Sequence, residues 1–598
     1  MGTTKRRRDN QLNRRGFLSL AGAASLGLSR ASLAPSPPER RPNVLVIMTD
    51  DQGYGDQACL GNPLLKTPNL DRLHGESMRL TNFHVSPTCT PTRASLMTGR
   101  YSLRAGVWHT LGGLSQLRAD ETTMADIFAE NGYRTGMFGK WHLGDNYPFR
   151  PGDRGFHEVV RHGGGGITQI PDYWGNDYFD DTYFHNGVPE KYEGYCTDVW
   201  FDEAVRFIEE NRDRPWLCYI APNVPHGPYH VPEEYVDMYR DRTDLGNAQV
   251  YGMVTHFDRC MGRLRRRLEE LGLADHTILI YLTDNGATRW HREGLYNAGM
   301  RGFKGTPFEG GHRVPCFIHW PAAGWIRGRG IDSLTAHLDL LPTLVAACGL
   351  DRPDVQFDGH NLLPLLKGEA KSLPERVVIT DIQRVPQPQK WRNSVVMKDH
   401  WRLVSGRQLY SLKTDPGQKK NVAGEHPDVL RELRGEYEKW WDDVSARFDE
   451  TSRIVIGSER ENPTTLTCFD WHWDRKQSPH NQTQIRHGVR RNGYWALDVS
   501  RTGTYDIELR RWPREANQPM RADIGTDSRF YSPGRALDIA SARLQVQGQN
   551  LSKAIPEGAV SVNFRVRLEK GDTRLQTWFL TPDGEPHSGA YYVYVTGT

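Results

Sequence analysis

The sequence predicts an α/β fold built on a largely parallel sheet. Short apolar runs of the kind that buried strands show alternate along the chain with amphipathic helical patterns, and this alternation is typical of sheets whose strands are joined by helices. The predicted strands are Asn43 to Thr49, Tyr133 to Phe138, Trp216 to Ala221, Thr277 to Leu282 and Val314 to His319. A chain of 598 residues also exceeds the roughly 100 to 200 residues of one typical domain, so two or more domains are expected.

Helical patterns separate the predicted strands. Thr122 is a candidate N-cap for a helix that ends near Asn131. Apolar residues at steps of three and four predict a second helix over 253–271. A third helix is expected from Leu334 to Cys348, with an interruption at Pro342.

The pattern changes after an amphipathic segment at 427–444. Residues 450–598 show short alternating runs, such as Thr504 to Leu509 and Leu575 to Leu580, separated by Gly, Pro and Asp. They predict a separate β-sandwich of about 145 residues behind a domain at 42–449. Since this region carries no concentrated catalytic cluster, a carbohydrate-binding module and a structural lid both remain open.

The charge of the chain argues against nucleic acid as a partner. Residues 1–34 contribute +6 to a formal net charge of +3, which leaves −3 for the rest. A folded part this close to neutral lacks the basic excess that binding to phosphate backbones requires.

Residues 1–34 resemble a twin-arginine export signal. The basic stretch Lys5 to Arg8 precedes the pair Arg14-Arg15, and a weakly apolar run rich in Ala and Gly leads to small residues ending near Ala34. About 12 apolar residues are too few for a bilayer core that needs roughly 20. We therefore expect a bacterial protein that is periplasmic or secreted and has no transmembrane segment when mature; the alternative is a disordered basic tail.

The eight cysteines show no disulfide framework and no metal-type spacing. Cys218, Cys316 and Cys348 lie inside apolar runs and are expected to be buried. Cys89 instead lies in a polar loop of Thr, Pro and Arg that opens a predicted helix, where an N-terminus favours an anion. This setting indicates chemistry rather than packing.

Polar residues follow four of the predicted strands. In open α/β sheets ligands bind beyond the carboxyl ends of the strands, so these residues should converge. Each alone also fits ordinary turn chemistry, but together they indicate a site. The residues are Asp50-Asp51, Lys140 with His142, His226, and Asp284-Asn285.

Two longer motifs resemble those of the type I sulfatases of the alkaline phosphatase superfamily. They are 87–100 (PTCTPTRASLMTGR), with its Cys-x-Pro-x-Arg core, and 132–144 (GYRTGMFGKWHLG). The resemblance covers residues 42 to about 448 and implies an alkaline-phosphatase-like mixed, largely parallel sheet sandwiched by helices, with a small C-terminal subdomain. Further matching stretches are Asp50 to Asp56, Thr283 to Gly286, Arg301 to Gly305 and Asp339 to Thr343.

The resemblance implies that Cys89 is the precursor of the nucleophile. In this family a maturation enzyme oxidises the motif cysteine to formylglycine, whose hydrate attacks sulfur and then expels sulfate as the aldehyde re-forms. Arg93 and Lys140 are then expected to orient and neutralise the oxygens of the hydrate and the sulfate. His226 and Lys304 would protonate the leaving oxygen, and His142 would remove the second proton of the hydrate.

The resemblance also implies a bound cation. All-oxygen ligation suits Ca²⁺ or Mg²⁺ rather than Zn²⁺, and the family usually uses Ca²⁺. The expected ligands are Asp50, Asp51, Asp284, Asn285 and the oxidised Cys89.

The expected function is hydrolysis of sulfate esters on a sulfated carbohydrate or an aryl sulfate. A phosphonate or phosphate ester hydrolase of the same superfamily and a non-catalytic glycan-binding protein are the alternatives. A loop at residues 162–190 begins with His-Gly-Gly-Gly-Gly and continues with interleaved aromatic and acidic residues at 172–184. It would suit sugar recognition, but it would equally suit a loop that packs on the body of the protein.

Overall fold

The computed structural model describes residues 41–242, 247–288, 296–325, 328–351, 354–473, 476–528 and 530–598. The export signal predicted at residues 1–34 lies outside these ranges. From residue 41 onward the chain forms a single unit. Among the described helices, none has the length and apolar composition needed to cross a membrane.

The strands and helices follow one another in the order expected of an α/β part followed by a β-rich part. The strands are β1 (Asn43–Thr49), β2 (Met78–Leu80), β3 (Phe83–His84), β4 (Arg134–Gly139), β5 (Glu158–Arg161), β6 (Thr182–His185), β7 (Val188–Lys191), β8 (Trp216–Ala221), β9 (Thr277–Thr283), β10 (Cys316–His319), β11 (Gly330–Ile331), β12 (Thr335–Ala336), β13 (Val378–Thr380), β14 (Val395–Lys398), β15 (Trp401–Val404), β16 (Gln408–Ser411), β17 (Ile454–Ile456), β18 (Thr464–Thr467), β19 (Tyr494–Val499), β20 (Gly503–Arg510), β21 (Ser541–Val546), β22 (Gln549–Ala554), β23 (Val562–Leu568), β24 (Gly571–Leu580), β25 (Pro586–Ser588) and β26 (Tyr592–Gly597). The α-helices are α1 (Pro68–Glu76), α2 (Cys89–Thr98), α3 (Met124–Glu130), α4 (Cys196–Glu210), α5 (Glu233–Asp237), α6 (Ala248–Glu270), α7 (Glu309–His312), α8 (Leu340–Ala347), α9 (Leu363–Lys367), α10 (Pro427–Val444) and α11 (Gln482–Arg486).

A ten-stranded mixed sheet forms the centre of the α/β part, in the order β11-β2-β10-β9-β1-β8-β4-β5-β6-β7. The strands from β9 to β5 are parallel, whereas β10, β6 and β7 run antiparallel to their neighbours. The predicted fold class, a largely parallel sheet sandwiched by helices, is confirmed. All five predicted strands are present, although the last one begins at Cys316 rather than at Val314.

Helices cover both faces of this sheet. Alternate residues of β1 point to opposite cores: Val44 and Val46 pack with α2, α3, α8 and α9, while Leu45 and Ile47 pack with α1, α4, α5 and α6. A strand buried on both faces needs apolar residues at every position, which explains why the strands were visible as continuous runs.

Three predicted helix starts were wrong. The helix predicted from residue 253 begins five residues earlier, at Ala248. The cap of α3 is Thr123 rather than Thr122, because Thr123 and Asp126 form a reciprocal capping box. The helix expected from Leu334 begins only at Leu340, since β12 and a short 3₁₀ turn occupy the residues before it. Pro342 does not interrupt α8, because it lies in the first turn, where the amide proton has no partner to lose.

The C-terminal part contains three sheets, which are antiparallel except that β17 runs parallel to β19. Strands β13 to β16 form a small sheet against which α10 packs. Beyond α10, a six-stranded sheet (β17, β19, β21, β22, β24 and β25) and a four-stranded sheet (β18, β20, β23 and β26) share one hydrophobic core. Leu111, Phe149 and Ile170 of the α/β part belong to this same core, so the β-rich part is packed against the α/β part.

All eight cysteines are described and free. Cys218, Cys316 and Cys348 are buried, in agreement with the expectation for apolar runs. Cys59 is the one that is partly exposed among the described cysteines.

Candidate active site

The carboxyl ends of β1, β4, β8 and β9 bring the polar residues that follow them to one edge of the sheet. These strands are parallel neighbours, so the chain leaves all four on the same side. Backbone hydrogen bonds hold the residues that follow these strands in place. The Asp50 N–H donates to the Val224 carbonyl at 2.8 Å, and the Lys140 N–H donates to the Ala221 carbonyl at 2.9 Å.

Three buried carboxylates form the centre of this edge. They belong to Asp50, Asp51 and Asp284. The Asp51 N–H donates to Asp284 Oδ1 at 3.1 Å, and Asn285 Nδ2 donates to Asp51 Oδ1 at 2.9 Å. Asp51 has a left-handed backbone with φ of 66°, a conformation that costs free energy in a non-glycine residue and is found mainly at functional sites.

Each carboxylate is paired with a cation from another segment. Lys140 Nζ lies 2.7 Å from Asp50 Oδ2, and Arg93 Nη2 lies 2.8 Å from Asp284 Oδ2. Lys304 pairs with Asp51. Buried charges are stable only with such partners.

Cys89 is the first residue of α2, whose residues are all buried. Arg93 follows one helical turn later and also donates from Nη1 to the Lys140 carbonyl at 3.1 Å. Burial raises the pKa of the Cys89 thiol, but the charges of Lys140 and Lys304 outweigh it, so the pKa is lower than usual. The end of α2 thus presents position 89 to a cationic surrounding that favours an anion.

His142 is held in a defined tautomer. Its Nε2 donates to the Thr110 carbonyl at 2.9 Å, and burial keeps the ring pKa well below its usual range. The neutral ring therefore carries no proton on Nδ1, and this buried atom has no hydrogen-bond partner within the described ranges. Nδ1 of His142 is available to accept a proton.

His226 and Lys304 lie at the mouth of the site. Their side chains are 20% and 13% exposed, whereas those of Asp50 and Lys140 are fully buried. Nδ1 of His226 donates to the Gly227 carbonyl at 2.6 Å, and Nε2 lies 3.9 Å from Asp51 Oδ2. Burial lowers the pKa of His226 to about 4. The alcohol released from a sulfate ester would leave past these two side chains.

The donor atoms at the centre fit a hard divalent cation. Asp50 Oδ1 and Asn285 Oδ1 are buried acceptors with no hydrogen-bond partner in the described part of the chain, a costly state that a cation would relieve. Ligand atoms of Asp50, Asp51 and His226 lie within 4.8 Å of one another. Burial raises the pKa of Asp50, and it raises that of Asp284 to about 6, as expected for carboxylates crowded together without such a charge.

The structure places the glycine loop, residues 163–166, against the two candidate catalytic histidines, a contact that the sequence did not predict. Gly165 approaches His142 so closely that an added Cβ atom would lie 2.3 Å from its Cε1, and a Cβ on Gly166 would lie 3.4 Å from Cε1 of His226. Only glycine fits at position 165. The run of four glycines was visible in the sequence, and close approach to another group is the usual reason for such residues.

Residues of the β-rich part hold this glycine loop in place. The Ile170 N–H donates to the His480 carbonyl at 3.1 Å, and the Gln482 N–H donates to the Thr168 carbonyl at 3.0 Å. The fully buried Gln482 side chain donates to the carbonyls of Gln169, Asp172 and Tyr173. The β-rich part therefore lies directly behind the loop that contacts both candidate catalytic histidines.

Four of the aromatic and acidic residues at 172–184 are buried, namely Asp172, Tyr178, Asp181 and Tyr183. Asp172 accepts hydrogen bonds from the Gly163 and Thr168 N–H groups, and Asp181 accepts from the N–H groups of Asp177 and Tyr178. The Tyr178 side chain is buried. For these residues the geometry favours packing over sugar recognition.

Comparison with known proteins agrees with this arrangement. The chain matches the Sulfatase family over residues 42–350. It is 33% identical to human arylsulfatase A, over 70% of this chain and 89% of that protein. It is 32% identical to human N-acetylgalactosamine-6-sulfatase, over 58% of this chain and 69% of that protein.

A solved structure is similar as well. It is the crystal structure of Ps i-CgsB in complex with k-i-k-neocarrahexaose, with a TM-score of 0.61, 28% sequence identity, and coverage of 69% of this chain and 96% of that one. The chain belongs to the sulfatase family, and its expected class, a sulfuric ester hydrolase of the type I sulfatases, is confirmed.

Proposed function

We propose that the protein hydrolyses sulfate esters of a sulfated carbohydrate through a formylglycine derived from Cys89. The observation that carries the proposal is the position of Cys89 at the start of α2, where it faces the charges of Lys140 and Lys304. A sulfate group bound there would be stabilised by positive side chains that carboxylates already hold in place, so these side chains need not move during the reaction.

The side chains around position 89 can divide the work. Arg93 and Lys140 are fully buried and held by carboxylates, which suits binding and orienting the oxygens of the sulfate. His142 can accept a proton at Nδ1, since its Nε2 donates to Thr110. Lys304, at the mouth, carries a proton that it can give to the oxygen of the departing alcohol, and His226 can do the same through Nε2 when its ring is protonated.

We propose Ca²⁺ as the cation, held by Asp50, Asp51, Asp284, Asn285 and the modified side chain at position 89. All-oxygen donors favour Ca²⁺ or Mg²⁺ over Zn²⁺. The bound ion would neutralise negative charge that develops on the sulfate. The unpartnered oxygens of Asp50 and Asn285 support this assignment.

Removing the cation should abolish turnover. Dialysis of the protein against a chelator is expected to reduce hydrolysis of nitrophenyl sulfate to background, and added Ca²⁺ should restore it. Elemental analysis of the active protein measures the ion directly. Stoichiometric Zn²⁺ with no Ca²⁺ or Mg²⁺ would contradict the oxygen-ligand assignment.

A comparison of hydrolysis rates on a sulfate ester and on a phosphonate ester distinguishes the proposed sulfatase from the alternative phosphonate hydrolase. We expect a kcat/KM for nitrophenyl sulfate well above that for phenylphosphonate under identical conditions. A panel of sulfated mono- and oligosaccharides then measures the carbohydrate preference, which is supported by the names of two similar proteins, an N-acetylgalactosamine-6-sulfatase and a carrahexaose-bound protein. Faster turnover of phenylphosphonate would overturn the proposal.

We further propose export through the twin-arginine signal at residues 1–34 and modification of Cys89 by a formylglycine-generating enzyme. The Arg14-Arg15 pair ahead of a short apolar run supports the export proposal. Sequencing the N-terminus of the mature protein tests it, because an intact leader on an active, exported protein is incompatible with cleavage near residue 34.

A further inference from the structure

Arg384 is an exposed cation close to the mouth of the site. An ideal Cβ atom on Gly305 would lie 4.0 Å from Arg384 Nη1, and Gly305 directly follows Lys304. The Gly305 N–H donates to the Pro87 carbonyl at 2.8 Å, two residues before Cys89. Arg384 therefore lies beside Gly305, which follows Lys304 in the chain and is hydrogen-bonded to the segment just before Cys89.

The backbone around Arg384 is fixed by its neighbours. Gln383 is buried, and its amide donates to Asp381 Oδ2 at 2.6 Å and accepts from the Gln389 N–H at 2.8 Å. The Val385 carbonyl accepts from Trp108 Nε1 at 3.1 Å. Arg384 itself has a left-handed backbone with φ of 36°, and strain of this kind persists where the surroundings over-determine it.

The Arg384 guanidinium differs from most arginines near the site in having no carboxylate partner among the described residues. Arg93 pairs with Asp284, and Arg313 pairs with Glu309, but Arg384 forms no such ion pair and its side chain is exposed. It also lies near enough to the buried His109 to help burial lower the pKa of that ring to about 3. The charge of Arg384 therefore acts on the interior beside the loop as well as on the surface.

We propose that Arg384 forms an anion subsite at the mouth, which binds a second negatively charged group on the substrate whose sulfate ester is cleaved. This inference rests on the proposed function and deepens it. A planar guanidinium can hold a carboxylate or a sulfate through two parallel hydrogen bonds. The preferred substrate is then a polyanionic saccharide, with a second sulfate or a uronic acid next to the reacting sugar.

The subsite can be tested with pairs of aryl sulfates, one of which carries an additional carboxylate. This test does not require the natural sugar to be known. The measured quantity is the ratio of kcat/KM for meta- or para-carboxyphenyl sulfate to kcat/KM for phenyl sulfate. In Arg384→Gln we expect this ratio to fall roughly 3- to 10-fold for at least one isomer, through KM, because one ion pair is lost. Arg384→Lys should recover part of the ratio, since lysine keeps the positive charge but lacks the planar guanidinium that forms two parallel hydrogen bonds.

Arg407 provides the matched control. It is an exposed arginine in the turn between β15 and β16, and Arg407→Gln should leave the ratio as in the wild type. A ratio that is unchanged in Arg384→Gln for both isomers overturns the subsite while leaving the proposed function intact. If the wild type turns over no sulfate ester at all, the proposed function itself fails.

Discussion

Replacing Cys89 with alanine is expected to reduce hydrolysis of nitrophenyl sulfate by more than about a thousandfold, because the nucleophile is removed while the binding groups remain. That loss corresponds to about 4 kcal/mol of transition-state stabilisation. Arg93 and Lys140 keep their carboxylate partners in this variant, so the protein should still fold. Circular dichroism and thermal unfolding check the fold.

Mass spectrometry separates loss of the nucleophile from a structural effect. In the wild type, the tryptic peptide from Leu80 to Arg93 should be about 18 Da lighter than its thiol form, the difference between a thiol and an aldehyde side chain. Cys59, the partly exposed cysteine, supplies the control: Cys59→Ala should keep both activity and the lighter peptide. A fully active wild type with an unmodified peptide would refute the mechanism.

Removing the β-rich part should cost activity on small and large substrates alike. A chain that ends at residue 449 loses the segment that pairs with Thr168 and Ile170, and it exposes Leu111 and Phe149, which belong to the shared core. The glycine loop behind His142 would then lack its support. We therefore expect loss of turnover for nitrophenyl sulfate as well as for sulfated saccharides, as for a structural support rather than a separate binding module.

A single substitution tests the same point in a folded protein. Gln482→Ala removes three hydrogen bonds to backbone carbonyls of the loop and should lower kcat for nitrophenyl sulfate roughly 10- to 100-fold, since small displacements of catalytic groups have effects of this size. Gln545→Ala, on the exposed side of β21, is the control and should leave kcat unchanged. If Gln482→Ala lowers turnover only of saccharides, the β-rich part binds glycan instead.

Much of the fold and of the candidate site could be predicted from the sequence, for identifiable reasons. The central strands are buried on both faces, so runs such as Asn43–Thr49 are apolar throughout. The polar residues after them converge because the strands are parallel. Chemistry at position 89 was visible because its neighbours are charged or polar side chains.

The contacts that escaped prediction are carried by backbone groups or join distant segments. Ile170 and His480 are joined through their main-chain groups, which any residue type could supply, so no side chain marks the pairing. Arg384 looks like an ordinary surface arginine until the fold brings it beside Gly305. One miss is of another kind, because Asp126 stands three residues after Thr123 and forms the capping box with it, so the sequence itself favoured Thr123 over Thr122 as the cap.

If Cys89 is oxidised as proposed, its burial sets an order of events during biosynthesis. The residue is 3% exposed and α2 is enclosed along its whole length, so a modifying enzyme can reach position 89 only before this helix docks. At the roughly 5 to 20 residues per second of chain synthesis, the segment around Gln482 emerges some tens of seconds after Cys89. The proposed oxidation would thus have a limited time while the nascent chain is incomplete, and a chain that folded first would enclose an unmodified thiol.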